Sequence, residues 1–380
     1  MSVAAESPRP AESIPVSLFP VRSVWTLALN NQLTIPPAYD SKRAYFAIDG
    51  DRLVCYTLID GTQQWLVSAR TLMQPAAGDD LIFSIEPDLL VARQATDGSV
   101  AWQLPLTDTL AVRPVWDNGW LVAATTSGSI LAFRGSDGQL IWQRDIGSAA
   151  QAPPALAADR IYVPTADGRV VALRVDTGTP VWERRLGAAP GDVLALDDRL
   201  YVGSSDNFLY CLKAKDGSVD WRSRTGGDVI GLPAADARNV YFVSLDNVLR
   251  ALSRTSGAQR WMRPLPLRPV WGPVAVGLAL FVGGQATTLH AYNVKDGNAA
   301  GEVGAGADVS AAPHAVADPE STRPLLLVVT RDIAKGAEAR LVTRSIDPET
   351  ATLAPPLPNL GTLVPVRPES PQQPNKTPNY

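Results

Sequence analysis

The chain is poor in the residues that carry most protein chemistry. Its 380 residues include two cysteines, Cys55 and Cys211, and two histidines, His290 and His314. Two cysteines cannot build a disulfide framework, and four such residues scattered along the chain show no zinc-ligand spacing. Charge is also sparse. Charged residues make up 19% of the chain, and the net charge of −4 comes without a basic stripe. Nucleic acid and acidic membrane surfaces are therefore excluded as expected partners. No apolar run approaches the ~18 residues of a spanning helix. No nucleophile elbow, phosphate loop or dinucleotide fingerprint occurs in its proper context. The sequence as given opens with neither a charged-then-apolar leader nor a cysteine able to take a lipid. That leaves a cytoplasmic protein or the processed form of an exported one.

What is abundant is a repeat. Asp60-Gly61, Asp97-Gly98 and Asp137-Gly138 each precede a tryptophan by a fixed distance, giving Trp65, Trp102 and Trp142. The pattern continues through Gly178 and Trp182, Gly217 and Trp221, and Gly257 and Trp261. Successive tryptophans lie 37, 40, 40, 39 and 40 residues apart, and Trp25 is one 40-residue step before Trp65. One step beyond Trp261, Asp296-Gly297 persists but Gly301 stands where the ring would be. A constant period near 40 means a repeat architecture.

Residues 150–182 show one unit. Pro153-Pro154-Ala155-Leu156 is a short first strand and Arg160–Val163 a second. Asp167-Gly168 is a hairpin pair that tolerates positive φ. Val170–Arg174 is a third strand, and after Asp176-Thr177-Gly178 the fourth begins at Pro180. Four short antiparallel strands per 40 residues make one propeller blade. First-strand prolines recur at Pro37, Pro75, Pro114, Pro154, Pro233, Pro273 and Pro313, with Val193 in the fifth place.

The expected fold is all-β: an eight-bladed propeller over residues 21–354. Residues 1–20 form an Ala/Ser/Pro/Glu-rich N-terminal segment and residues 355–380 a proline-rich tail, both read as disordered. The eighth blade has no tryptophan-bearing fourth strand of its own. The segment around Trp25 is expected to supply it, joining the chain ends and removing an open seam. One large ring per blade at a fixed offset is read as blade docking by Trp25, Trp65, Trp102, Trp142, Trp182, Trp221 and Trp261, with each indole N–H bonding a neighbouring carbonyl. Cys55 and Cys211 occupy a slot held elsewhere by alanine, and are read as core filling.

Arg113-Pro114-Val115-Trp116 recurs as Arg268-Pro269-Val270-Trp271. The two copies are 155 residues apart, whereas their blades are offset by 159, so they occupy different depths. Arg113, Trp116, Arg268 and Trp271 nevertheless lie near first strands. They mark a candidate channel-mouth contact for an anionic or peptide ligand. No catalytic residue, metal ligand or cofactor site is assigned.

The stretches Ile161–Trp182 and Leu200–Trp221 resemble the pyrroloquinoline-quinone-type propeller repeat, over about residues 23–350. Two branches share that repeat. Quinoprotein alcohol dehydrogenases hold the quinone with calcium and carry an adjacent cysteine pair, which this chain lacks. The other branch is the BamB-like group of non-catalytic outer-membrane assembly scaffolds, which matches in length and blade count. The resemblance implies a non-enzymatic monomeric scaffold in the periplasm or cell envelope, taking protein partners from the outer-membrane assembly machinery. The alternatives are a quinone-dependent dehydrogenase and an extracytoplasmic ligand- or polysaccharide-binding sensor.

Overall fold

The computed structural model describes residues 17–318 and 323–345. The proline-rich tail and the greater part of the N-terminal segment lie outside the described residues. All regular structure within them is β, arranged as eight antiparallel sheets. Blade 4 is representative. Its strands Ala155–Ala157, Arg160–Pro164, Arg169–Arg174 and Pro180–Arg185 pair strictly in sequence order. The turns follow the sequence logic. Gly128, Gly168, Asn207 and Asn247, at equivalent second hairpins, all have positive φ.

Blade 8 is assembled from both ends of the propeller. Val21–Ala28 pairs antiparallel with Gly336–Arg344, and Trp25 stands opposite Leu341. Leu325–Asp332 follows, with the short strands Asp308–Val309 and His314–Val316 inside it. The N-terminal strand thus closes the ring as the outer strand of blade 8.

Each of the seven repeat tryptophans sits just after a bulge. Ala132 pairs with Trp142 while the next residue, Phe133, pairs with Leu140, so Ile141 is the extra residue. The same shift occurs at Trp65, Trp102, Trp182, Trp221, Trp261 and Trp25. A bulge bends the strand and raises its twist, which turns the ring toward the next blade. The indole N–H then donates across the interface. Trp25 reaches the carbonyls of Leu58 and Ile59, both at 3.1 Å. Trp65 reaches Ala95 at 2.9 Å, Trp102 reaches Gly135 at 2.9 Å and Trp142 reaches Val175 at 2.7 Å. Trp182, Trp221 and Trp261 reach Ala214, Arg254 and Val294 at 2.9, 3.0 and 3.2 Å. The ring also lies on the turn glycine of that next blade. A Cβ on Gly178 would fall 2.5 Å from the Trp142 ring, and its φ of 64° is one that side chains rarely adopt. Glycine is required there twice over.

The core lies between blades rather than within them. Phe83 and Leu90 of blade 2 pack with Leu121 and Phe133 of blade 3. Phe46 and Val54 of blade 1 pack with Leu327 and Leu341 of blade 8. Cys55 and Cys211 are buried free thiols opposite Trp65 and Trp221, the place taken by Ala132 and Ala172 in blades 3 and 4. Composition grouped Ser17–Pro20 with the N-terminal segment, but Leu18 is fully buried and Phe19 packs against the blade 7–8 core. Two large apolar side chains gain more from that seam than from water.

Candidate functional site: a cavity in the channel wall

First strands of neighbouring blades pack against one another between blades 1 and 3 and between blades 4 and 8. Against blades 3 to 5 this wall leaves a cavity of about 500 Å³. Arg113, Val115, Trp116 and Asp117 of blade 3 line it, with Pro153–Leu156 of blade 4, Asp192–Ala195 of blade 5 and Leu232 of blade 6.

The repeat explains the lining. Arg113, Pro153, Asp192 and Leu232 each stand 29 residues before the tryptophan of their own blade. They occupy one slot, hence one level of the channel. Two of the four carry opposite charges. Burial pulls the Arg113 guanidinium down from its usual range, and the Asp192 carboxylate opposes that shift. Burial raises the Asp192 carboxyl, and Arg113 opposes that shift in turn. No hydrogen bond or close ion pair joins them among the described residues. The pair therefore offers a donor fork and an acceptor, held apart on a wall whose other lining residues, Asp117 excepted, are apolar.

The structure treats the recurring tetrapeptide unequally. Arg113 and Trp116 meet in the cavity, whereas Arg268 and Trp271 lie outside it. Arg268 is exposed. Trp271 packs into the blade 7–8 core, and a Cβ on Gly283 would stand 2.6 Å from its ring. Trp116 is wedged toward blade 2 so closely that a Cβ on Gly78 would overlap its ring, 2.1 Å away. Both indole N–H groups are buried without a hydrogen-bond partner. Asp192 escaped the sequence reading, although its shared slot with Arg113 was there to be found.

The remaining chemistry-bearing residues are dispersed. Burial pushes the Cys55 and Cys211 thiols up to about 12, which removes thiolate reactivity at neutral pH. His290 stands 3.0 Å from Glu302 within blade 7. His314 stacks on Tyr39 across the ring-closing seam, with centroids 4.0 Å apart and planes at 10°. The Tyr39 hydroxyl is buried and unpartnered. Among the described residues no three His, Cys, Asp or Glu side chains come together as a metal site, and no helix is long and apolar enough to cross a membrane.

Comparison with known proteins places the molecule. The family described as outer membrane protein assembly factor BamB matches residues 87–195 and 189–326. No curated protein sequence matches. Among solved structures, BamB from Moraxella catarrhalis is 20% identical with a TM-score of 0.68, covering 84% of this chain and 99% of its own. Quinohemoprotein alcohol dehydrogenase from Comamonas testosteroni is 12% identical with a TM-score of 0.66, covering 85% of this chain and 76% of its own. A europium-containing methanol dehydrogenase is 12% identical with a TM-score of 0.67, covering 85% and 93%. At these identities the structural likenesses establish the shared propeller fold. The family match extends over well more than half of the sequence, and the chain belongs to the BamB family of outer membrane protein assembly factors.

Proposed function

We propose that this propeller is a non-catalytic scaffold for protein contacts in the bacterial cell envelope, acting in outer-membrane protein assembly. The observation that carries the reading is the family match over residues 87–326. The architecture suits the role. A ring closed by its own N-terminal strand is a stiff body that presents many loops on two faces, and loops on a rigid frame carry recognition. The outer strand of every blade also has one unpaired edge, which can accept an extended segment by strand addition. The cavity beside Arg113, Trp116 and Asp192 is the proposed small-contact site of the channel, suited to a peptide group that accepts from Arg113 and donates to Asp192.

The quinone-dependent alternative draws on the fold shared with the dehydrogenases. The donor set does not fit it. The cavity offers one guanidinium and two carboxylates, Asp117 and Asp192, and no three metal-ligating side chains meet among the described residues. Cys55 and Cys211 belong to blades 1 and 5 and cannot form an adjacent pair.

The deciding experiment is affinity capture from envelope extracts with the full chain as bait. Recovery of a component of the assembly machinery is expected. Its absence, together with a quinone absorbance after reconstitution with quinone and calcium, would replace the scaffold by the dehydrogenase.

A further inference from the structure

Blade interfaces can be compared slot by slot, and the arginines that cross some of them are absent from others. Two residues after their tryptophans, Arg144, Arg184 and Arg263 each donate from Nε into the next blade. Their acceptors are the carbonyls of Gly178, Gly217 and Gly297, at 3.0, 2.7 and 3.0 Å. At the blade 3–4 interface a second arginine fills the remaining space. Arg169 donates from Nη2 to the Ile146 carbonyl at 2.8 Å, while Asp167 and Glu183 hold its other nitrogens.

At the blade 2–3 interface both arginines are missing. Leu104 stands in the slot of Arg144, and Ser129 in the slot of Arg169. The space they leave is a groove of about 530 Å³. Its apolar wall includes Leu104, Leu131, Phe133 and Leu140, and the carboxylates of Asp108 and Asp137 stand on its lining. Asp137 already accepts from Arg134 at 2.8 Å and from the Gln139 N–H at 3.0 Å, and Asp108 accepts from the Thr126 hydroxyl at 3.3 Å, which leaves each a further oxygen lone pair. The carbonyls of Leu106 and Gly138 are the counterparts of Ile146 and Gly178. Among the described residues neither receives a hydrogen bond. The groove thus keeps the two carbonyl acceptors that arginines serve at the blade 3–4 interface, while Leu104 and Ser129 bring no guanidinium to them.

We propose that the blade 2–3 groove docks an arginine side chain presented by an extended, apolar-flanked segment of a partner protein. Two carbonyls and two carboxylates around an apolar trough match a planar group with five donors on an aliphatic stem better than a compact ammonium. The flanks are apolar as well: Val100, Leu140 and Ile141 on the bordering outer strands are 47, 45 and 37% exposed. The Leu140–Asp145 strand is the outer edge of blade 3, open to backbone pairing. This inference rests on reading the propeller as a protein-docking platform and adds the chemistry of one partner segment.

The test uses the full chain and a fluorescent pentapeptide with arginine at its centre and leucine and valine on either side. Saturable binding by anisotropy is expected. Replacing arginine with isosteric, uncharged citrulline should weaken binding by about tenfold or more, as should the pair Asp108→Asn and Asp137→Asn. Ser129→Arg fills the groove from within, as Arg169 does next door, and should abolish binding. If that variant does not fold by circular dichroism, the paired asparagine variant carries the test. No saturable binding at millimolar peptide, equal binding of the citrulline peptide, or binding untouched by the variants would each overturn the proposal. Failure here with a successful envelope capture removes the groove and leaves the scaffold. Success here with an empty capture keeps the docking groove and removes the assembly machinery as the source of its partner.

Discussion

Phe19 occupies the space that a side chain on Gly301 would fill. A Cβ on Gly301 would lie 2.5 Å from the Phe19 ring. Gly301 pairs with Ala291 just as Trp261 pairs with Ala251, so it holds the tryptophan position of blade 7. Phe19 also meets Phe281 at 6.0 Å, close to the 5.8 Å separating Tyr241 from Trp261 one blade earlier. The Pro20 carbonyl accepts from the Ser345 N–H at 2.7 Å and fixes the segment on blade 8. The missing ring is supplied from the other end of the chain.

Phe19→Ala should therefore destabilise the fold by about 2–3 kcal/mol, below the cost for a fully buried ring because Phe19 is partly exposed. Gly301→Ala should also destabilise, because it pushes into the same ring and strains a φ of 150°. The two costs should not add, since removing Phe19 relieves the clash. Urea unfolding of both single variants and the double variant measures the coupling. Additivity within about 0.5 kcal/mol would show that the residues do not share one slot.

The docking tryptophans should separate into two energetic parts. Trp142→Phe keeps an aromatic body but leaves the Val175 carbonyl without its 2.7 Å donor, at a cost of about 1 kcal/mol. Trp142→Ala removes the ring and should cost about 3–5 kcal/mol. Trp25→Ala should differ in where it acts. Amide exchange should quicken first along Val21–Ala28 and Gly336–Arg344, the paired strands that close the ring. Uniform acceleration around all blades would contradict a seam held by Trp25.

Much of this fold was legible because each repeated residue has its own physical cause. The Asp-Gly turns need positive φ, and the tryptophans need a glycine floor and a carbonyl acceptor in the next blade. The same reasoning located Trp25 as the outer strand of blade 8, because an unclosed ring leaves a raw edge. Phe19 was missed, since its contact with Gly301 spans almost the whole sequence and leaves no local pattern. The channel cavity was half legible. Reading Arg113-Pro114-Val115-Trp116 as a motif drew attention to its second copy, but depth in the channel follows the repeat slot. Slot alignment pairs Arg113 with Asp192, not with Arg268. The burial of Trp116 against Gly78 depends on how closely two blades approach, a distance that no residue pattern encodes.

The Arg113–Asp192 relationship can be tested by removing one charge or both. Asp192→Leu leaves a half-buried guanidinium without the carboxylate that acts on it, and should destabilise by about 1–3 kcal/mol. Adding Arg113→Leu should recover most of that loss, because apolar side chains replace separated buried charges at little cost. Thermal unfolding of the two single variants and the double variant decides the matter. A double variant less stable than either single would mean that each charge has a separate partner.

His314 should give the protein a mild acid sensitivity well above the range where carboxylates titrate. Burial against Tyr39 lowers its imidazole from the usual 6.5 to about 4. The unfolded chain binds a proton near pH 6.5 and the folded one does not, so this contribution is complete above pH 6.5. It declines as pH falls toward 4 and is gone below that. Two and a half pH units correspond to at most roughly 3 kcal/mol. Asp246 acts in a lower window. Burial would raise its carboxyl, but Arg250, Ser244 and the Gly226 N–H together hold it at about 2, so its contribution persists until pH falls below the ordinary carboxylate range. Urea midpoints at neutral pH and near pH 5 should therefore differ for the native chain. His314→Phe keeps a ring for Tyr39 to stack on and should flatten that difference. Parallel losses in the two proteins would assign the sensitivity to other groups.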